Sequence, residues 1–398
     1  MRLLFLPFLV LCQSNWHDVT YHLMGIPYSE LNTNFSMCAF TQKVRRWCRI
    51  LNDMNVNYIT YANANTDFVC RNAVTIFSSS EREAFFGKDN NWRVGGQYFD
   101  QRTDSPGAVE WIRRASIEVT RRKNVTDLIL ATFGTMHASI STATGLTAIE
   151  VGVGYRETFS SFRVFESYTW LSTFLRTSSE RVDTLSLYDA VIPICYYDDE
   201  FTGPRLRSHP YLAFVGRITE SKGIVLALNV LSRSPHLRLK VAGTGNLTPF
   251  LAQFSNCSDR VDYLGVLDSE ARNHLLSGAL ALLAPTLYVE PFGSVVVESM
   301  FMGTPVITTD HAAMSETVWD GVTGFRCRTI DCFVTSVHNA GSLNRTRIMR
   351  YAQSNYRCQT MASRYAEYFQ DVLNLLTPTG WNTETPLQEL TQIKFFPE

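Results

Sequence analysis

An α/β protein with two doubly wound parallel sheets facing each other across a cleft is what this sequence predicts. Two observations carry that expectation. Short apolar runs with strand character alternate with stretches of helical period along most of the chain, and the alternation restarts after a polar stretch near its middle. Buried strands joined through helices imply right-handed crossovers and a sheet covered on both faces, the Rossmann-like arrangement. At 398 residues the chain is long enough for two such cores.

In the first half the expected strands are Leu3–Leu11, Asn57–Tyr61, Ala73–Phe77, Leu128–Phe133, Thr147–Val151 and Ala190–Ile194. Helical spacing covers Met37–Met54, where Cys38, Val44, Trp47, Ile50 and Leu51 recur near one face, and also Val109–Arg122 and Arg163–Phe174. The opening MRLLFLPFLVLC has the look of a short signal peptide, but it is too short to span a bilayer. Gln13, Ser14 and Asn15 then offer no small-residue cleavage site, so a buried first strand is the preferred reading. Gly203-Pro204, inside the polar stretch Asp198–Pro210, marks the hinge. The second series of strands is Tyr211–Val215, Arg238–Ala242, Val261–Tyr263, Ala279–Leu283, Val306–Thr308 and Gly324–Arg326, followed by a helical tail from Arg345 to Leu376. The resulting division is 1–203 and 204–356 for the two domains, 357–376 for a helix packing back on the first, and 377–398 for a tail.

A net charge of −1 gives no global pull toward nucleic acid, and 45% hydrophobic with 18% charged residues fits a globular chain. Arg113, Arg114, Arg121, Arg122 and Lys123 form a local basic cluster, read either as a solvated helix face or as a peripheral contact for anionic lipid or an acidic acceptor. Nine scattered cysteines without a C-x-x-C pair suggest reduced thiols in a cytoplasmic compartment, and no spacing completes a zinc site. Five glycosylation sequons, at Asn34, Asn124, Asn246, Asn256 and Asn344, matter only for a secreted chain.

Ligands of doubly wound sheets bind beyond the C-terminal ends of the strands, so the chemistry belongs to the loops that follow them. Three such loops in the second half suit a diphosphate. In FVGRITESKG, Gly216 admits close backbone approach, Arg217 can grip two anionic oxygens at once, and Lys222 adds a mobile charge. In EPFGSVVVESMFMGTPVITT, Glu290 precedes a helix that Phe292, Gly293 and Ser294 open, and Glu298 lies on it. The helix start offers free amides and a positive dipole end, while the two carboxylates can each hold a diol. In VAGTGNL and the later VDYLG, backbone around Gly243 and Leu264 is placed to read a base edge.

In order and spacing these loops resemble glycosyltransferase family 4, the retaining enzymes of the GT-B fold, over roughly 210–327. The resemblance includes Glu290 and Glu298 with seven residues between, then GTPVITTD and ETVWDGVTGF. It implies that Arg217 and Lys222 bind the donor diphosphate, that Glu298 takes the ribose hydroxyls, and that Glu290 holds the transferred sugar near the Phe292 and Gly293 backbone. The first half is similar only loosely; its GVGYRETFSSFRVFESYTW looks like a subgroup found among microbes and large DNA viruses. Family members usually carry glycines just after the first strand, where CQSNWHDV has none before Gly25. Many carry a histidine after the fifth strand, where Glu150 and Gly152–Tyr155 stand here, with His17 and His137 as the candidates to replace it.

The implied activity is transfer of a sugar from a nucleotide-diphosphate donor to a hydroxyl of a glycan, glycolipid or glycoprotein, with retention. No cofactor or metal is expected: Asp198-Asp199 reads as a solvated acidic loop, and two cations neutralise the phosphates. The alternatives are an epimerase or phosphorylase of the same architecture, or a non-catalytic carbohydrate-binding protein. A nicotinamide dehydrogenase is disfavoured because the first strand does not open into G-x-G-x-x-G.

Overall fold

The computed structural model describes residues 15–35, 38–88, 102–177, 188–204 and 210–376. Its first sheet contains β1 (Thr20–Met24), β2 (Asn57–Ala62), β3 (Ala73–Thr75), β4 (Leu128–Ala131), β5 (Thr147–Val153), β6 (Phe162–Phe165) and β7 (Ala190–Val191). The helices among them are α1 (Ala39–Asp53), α2 (Ser79–Phe86), α3 (Pro106–Thr120), α4 (Ala138–Thr144) and α5 (Tyr168–Thr177). The second sheet contains β8 (Tyr211–Val215), β9 (Arg238–Ala242), β10 (Val261–Tyr263), β11 (Ala281–Ala284), β12 (Val306–Thr309) and β13 (Gly324–Cys327). With it go α6 (Ile224–Ser232), α7 (Thr248–Gln253), α8 (Ser269–Gly278), α9 (Ser294–Phe301), α10 (Met314–Thr317) and α11 (Ile330–Asn339), before α12 (Arg345–Tyr356) and α13 (Cys358–Leu375).

The strand orders are β3-β2-β1-β4-β5-β6-β7 and β10-β9-β8-β11-β12-β13, and the pairings are parallel. Both orders reverse beside the first strand of their sheet, so each sheet opens a crevice at the carboxyl ends of β1 and β4 or of β8 and β11. Strands such as β4, LILA, and β11, ALLA, are buried throughout because helices cover both faces. Helix starts follow capping chemistry: Ser105 accepts from the Ala108 amide with Pro106 in the first turn of α3, and Asp268 accepts from Ala271 at α8.

The chain returns to the first domain at its end. Tyr196 N donates to Tyr356 O and Cys358 N donates to Tyr196 O, which seats α13 against α1. There Tyr365 meets the Trp47 ring edge-on at 4.5 Å and Phe369 packs 5.0 Å from Tyr21. At the hinge Asp198 and Asp199 are exposed and also ion-paired. Asp198 pairs with Arg357, Asp199 with Arg49 and Glu200 with Arg46, whose guanidinium also lies 4.4 Å from the Tyr196 ring centre.

Three sequence expectations change. The run Leu3–Leu11 lies outside the described residues, and the first described strand, which pairs with both β2 and β4, is Thr20–Met24. That strand was hidden by its polar centre: His22 is fully buried between the Tyr61 hydroxyl and Asp127. With the strand moved, Gly25 follows it directly and donates to Tyr61 O. The helix expected over Arg163–Phe174 begins only at Tyr168, because Phe162 and Val164 face the core as a short strand while Arg163 pairs with Asp189. Six of the nine cysteines are not free thiols: disulfides join Cys48 to Cys70, Cys195 to Cys358 and Cys327 to Cys332, with Cα separations of 4.9, 4.8 and 5.4 Å. Among the described residues Cys38 and Cys257 are free. The thiol argument for a reducing compartment therefore falls.

The basic cluster is engaged locally. Glu110 binds Arg113 and Arg114, Glu118 binds Arg121 and Arg122, and Lys123 donates to Thr144 O. Among the described residues no helix is long and apolar enough to cross a membrane.

Candidate active site

A cavity of about 610 Å³ lies between the carboxyl ends of the two sheets. Its second-domain wall is built from the loops after β8 and β11. Gly216 leaves β8 and Lys222 follows in a single helical turn, Glu220–Lys222, that Thr219 caps. Lys222 Nζ donates to Glu290 Oε2 at 2.6 Å and to the Tyr288 hydroxyl at 2.8 Å. Burial, then the neighbouring Glu290 carboxylate, push the Tyr288 hydroxyl far above its ordinary range, against the opposing influence of Arg217. Tyr288 thus stays a neutral donor and acceptor beside two charges.

Phe292, Gly293 and Ser294 also line the cavity. Gly293 is the N-cap of α9 at φ +85°, and no side chain caps the helix start, which lines the cavity through Gly293–Val296. A Cβ at Gly293 would lie 2.2 Å from Met314 Cε. Glu298, one and a half turns on, is nearly buried, and Arg272 Nε sits 2.9 Å from its Oε2 in an ion-pair contact that lacks hydrogen-bond alignment.

The structure therefore brings together Gly216, Lys222, Glu290, Phe292, Gly293, Ser294 and Glu298. It leaves three expected residues off the cavity wall. Arg217 is exposed at the edge, near Tyr288. Gly243 supports the wall from behind: a Cβ there would fall 1.9 Å from Gly216 O, so only glycine lets the two loops touch. The Leu264 side chain borders a separate shallow hollow with Tyr211 and Lys240.

The first domain supplies the opposite wall, which sequence reasoning missed. Lys43 on α1 donates to Gly152 O and pairs with Glu166 Oε1 at 2.9 Å. Ser167 Oγ donates to Pro291 O at 2.6 Å, and Glu316 accepts from the Tyr168 and Thr169 amides at 2.9 and 2.7 Å, so α5 is capped from the other domain. Neither histidine candidate reaches the cavity wall. His137 is fully buried on the Gly25 carbonyl, with its pKa pushed down to about 4 by burial, and His17 is exposed against Trp16. Glu150 is buried too, holding the Phe159 and Ser160 amides and the Tyr155 hydroxyl; burial pushes its carboxyl up to about 7. Apart from the strand-turn glycines, no local pattern marks the first-domain residues, because α1, β5 and β6 meet only in three dimensions.

Residues 200–331 match the family described as glycosyl transferases group 1. A glycogen synthase of Mycobacterium tuberculosis is 31% identical over 185 residues, 42% of this chain and 44% of that protein. Matched regions span 30 to 44% of the length of such curated relatives. Among solved structures, sucrose-phosphate synthase from Thermosynechococcus elongatus superposes with a TM-score of 0.67 at 14% identity, over 89% of this chain and 99% of that one. Anabaena HepE, solved in complex with UDP-glucose, gives 0.62 at 13% identity, over 87% and 98%. The fold is that of the GT-B glycosyltransferases, two Rossmann-like domains facing across a cleft.

Proposed function

We propose that this chain is a retaining glycosyltransferase of family 4 that moves a sugar from a nucleotide-diphosphate donor to a hydroxyl of a glycan or glycoconjugate, without a metal. The observation that carries the reading is the convergence of Lys222, Glu290 and the uncapped start of α9 on one cavity at the switch point of the second sheet. The match of residues 200–331 to a glycosyltransferase family supports it, and so does a fold neighbour solved with UDP-glucose.

In this reading Lys222, Arg217 and the α9 amides hold the diphosphate, Glu290 holds hydroxyls of the sugar, and Glu298 takes the ribose. Arg217 is on the edge of the cavity, so it swings in over the phosphates when the donor binds. The acceptor oxygen attacks the anomeric carbon from the side of the leaving group. The bond from that carbon to the phosphate oxygen breaks with its electron pair on the diphosphate, which also takes the hydroxyl proton. Charge grows on the phosphate in the transition state, where fixed cations and a helix dipole act most strongly. Arg217 and Lys222 supply the neutralisation that a divalent ion gives elsewhere. Incubation with UDP-, GDP- and ADP-sugars plus glycan acceptors tests this: nucleoside diphosphate and an α- or β-product matching the donor should form equally well in EDTA. Activity that vanishes in EDTA and returns with Mg²⁺ or Mn²⁺ removes the metal-free part, and an inverted product removes retention.

A further inference from the structure

We infer that Lys43 and Glu166 form the acceptor subsite, and that it is built for a neutral vicinal diol rather than a phosphate-bearing acceptor. The inference rests on the transferase reading above and adds the group that faces the donor sugar. Both side chains line the same cavity as Glu290, from the opposite domain. Glu166 is fixed close to the sugar end, because the next residue, Ser167, donates to Pro291 O and Pro291 follows Glu290.

Their remaining hydrogen-bonding capacity defines the ligand. A lysine ammonium carries three donors: one goes to Gly152 O, and Glu166 Oε1 lies 2.9 Å away in an ion-pair contact that lacks hydrogen-bond alignment. Glu166 Oε1 is engaged by Lys43, while its Oε2 rests against Gly154, where a Cβ would come within 2.5 Å. Ammonium donors and a carboxylate oxygen therefore stand side by side on the cavity wall. Two adjacent hydroxyls complement that pair: one donates to Glu166 Oε2 and the oxygen of the other accepts from Lys43. A phosphate monoester is mostly dianionic at neutral pH and is repelled by the carboxylate. Glycine at 154 is the space in which the carboxylate sits. Phe40 and Tyr155 flank the ammonium at 5.4 and 5.9 Å, and Phe40, which lines the cavity, offers an apolar side to a sugar ring.

The test uses the full chain with the donor that raises its melting temperature most. Transfer is measured to methyl glycosides with free vicinal hydroxyls and to the corresponding sugar phosphates, alongside donor hydrolysis. The expected result is transfer to neutral glycosides only. Glu166→Gln should then raise the acceptor KM at least tenfold while the donor-induced melting shift stays within twofold in Kd. Gly154→Ala, which keeps the charge and displaces the carboxylate, should do the same. Preferred transfer to the phosphates, an acceptor KM unchanged in both variants, or donor hydrolysis with no transfer to any neutral glycoside overturns the inference. A wild type that binds no nucleotide sugar strikes instead at the transferase reading on which it rests.

Discussion

Replacing Lys222 by methionine separates a catalytic cation from a structural one. Lys222 neutralises Glu290 at 2.6 Å in the cavity, and the two side chains keep 20% and 13% exposure. Breaking a fully buried pair costs about 3–5 kcal/mol, but residual water at this pair lowers the figure to roughly 2 kcal/mol. In a domain of ordinary size that is a melting shift of about 4–8 °C. Adding Glu290→Gln removes the stranded charge, so Lys222→Met/Glu290→Gln should regain most of the lost stability. Activity should not follow. Losing one charge that stabilises the departing diphosphate costs about 3 kcal/mol, near a hundredfold in kcat, in the single variant and at least as much in the double. Calorimetric melting and release of nucleoside diphosphate read the two effects on the same preparations. If kcat returns with stability in the double variant, or stays within threefold in Lys222→Met, Lys222 serves only to balance Glu290 and the assignment fails.

Other perturbations have equally definite outcomes. Glu150 has its carboxyl raised to about 7 from a reference of 4.5, so its contribution to stability is full below pH 4.5 and is lost as pH rises through 7. The loss is on the order of 3 kcal/mol at most. Glu150→Gln should flatten the melting profile across that window, and an unchanged profile would show that Glu150 does not titrate there. Glu316→Ala removes the cap on α5 supplied from the other domain, worth about 1 kcal/mol. It should shift the population toward an open cleft, seen as a larger radius of gyration in X-ray scattering; identical curves would leave the contact without a role in closure. Cys195 and Cys358 close a loop of 163 residues, for which chain entropy gives an upper figure of about 5 kcal/mol. Cys195→Ala/Cys358→Ala should melt well below wild type by circular dichroism, and equal midpoints would contradict that contribution.

What was legible in the sequence was whatever is local along it. The six strands of the second domain are short segments of three to five residues, each readable from its local sequence, and FVGRITESKG and EPFGSVVVES each carry their glycine, cation or acid within one strand-to-helix turn. β1 was missed because its buried His22 breaks the apolar run, and its partners Tyr61 and Asp127 lie 39 and 105 residues away. β6 was absorbed into the following helix because four residues of strand run into α5 almost without a turn. The cysteine pairs at separations of 22 and 163 could not be matched from spacing. On the site itself, the donor side was readable as motif, whereas Lys43, Glu166 with Ser167, and Glu316 come from three distant segments and acquire meaning only where the domains meet. Arg272, which faces Glu298, had no signal at all beyond being a charged residue on a helix.

The most direct measurement is the melting temperature of the intact chain against increasing UDP-, GDP- and ADP-sugars. One donor should stand out: at a hundred times its Kd it should add about 2.7 kcal/mol to the folded state, and Lys222→Met should abolish most of that gain. A midpoint that moves for none of these donors, or moves equally in Lys222→Met, contradicts a diphosphate site built on this cavity.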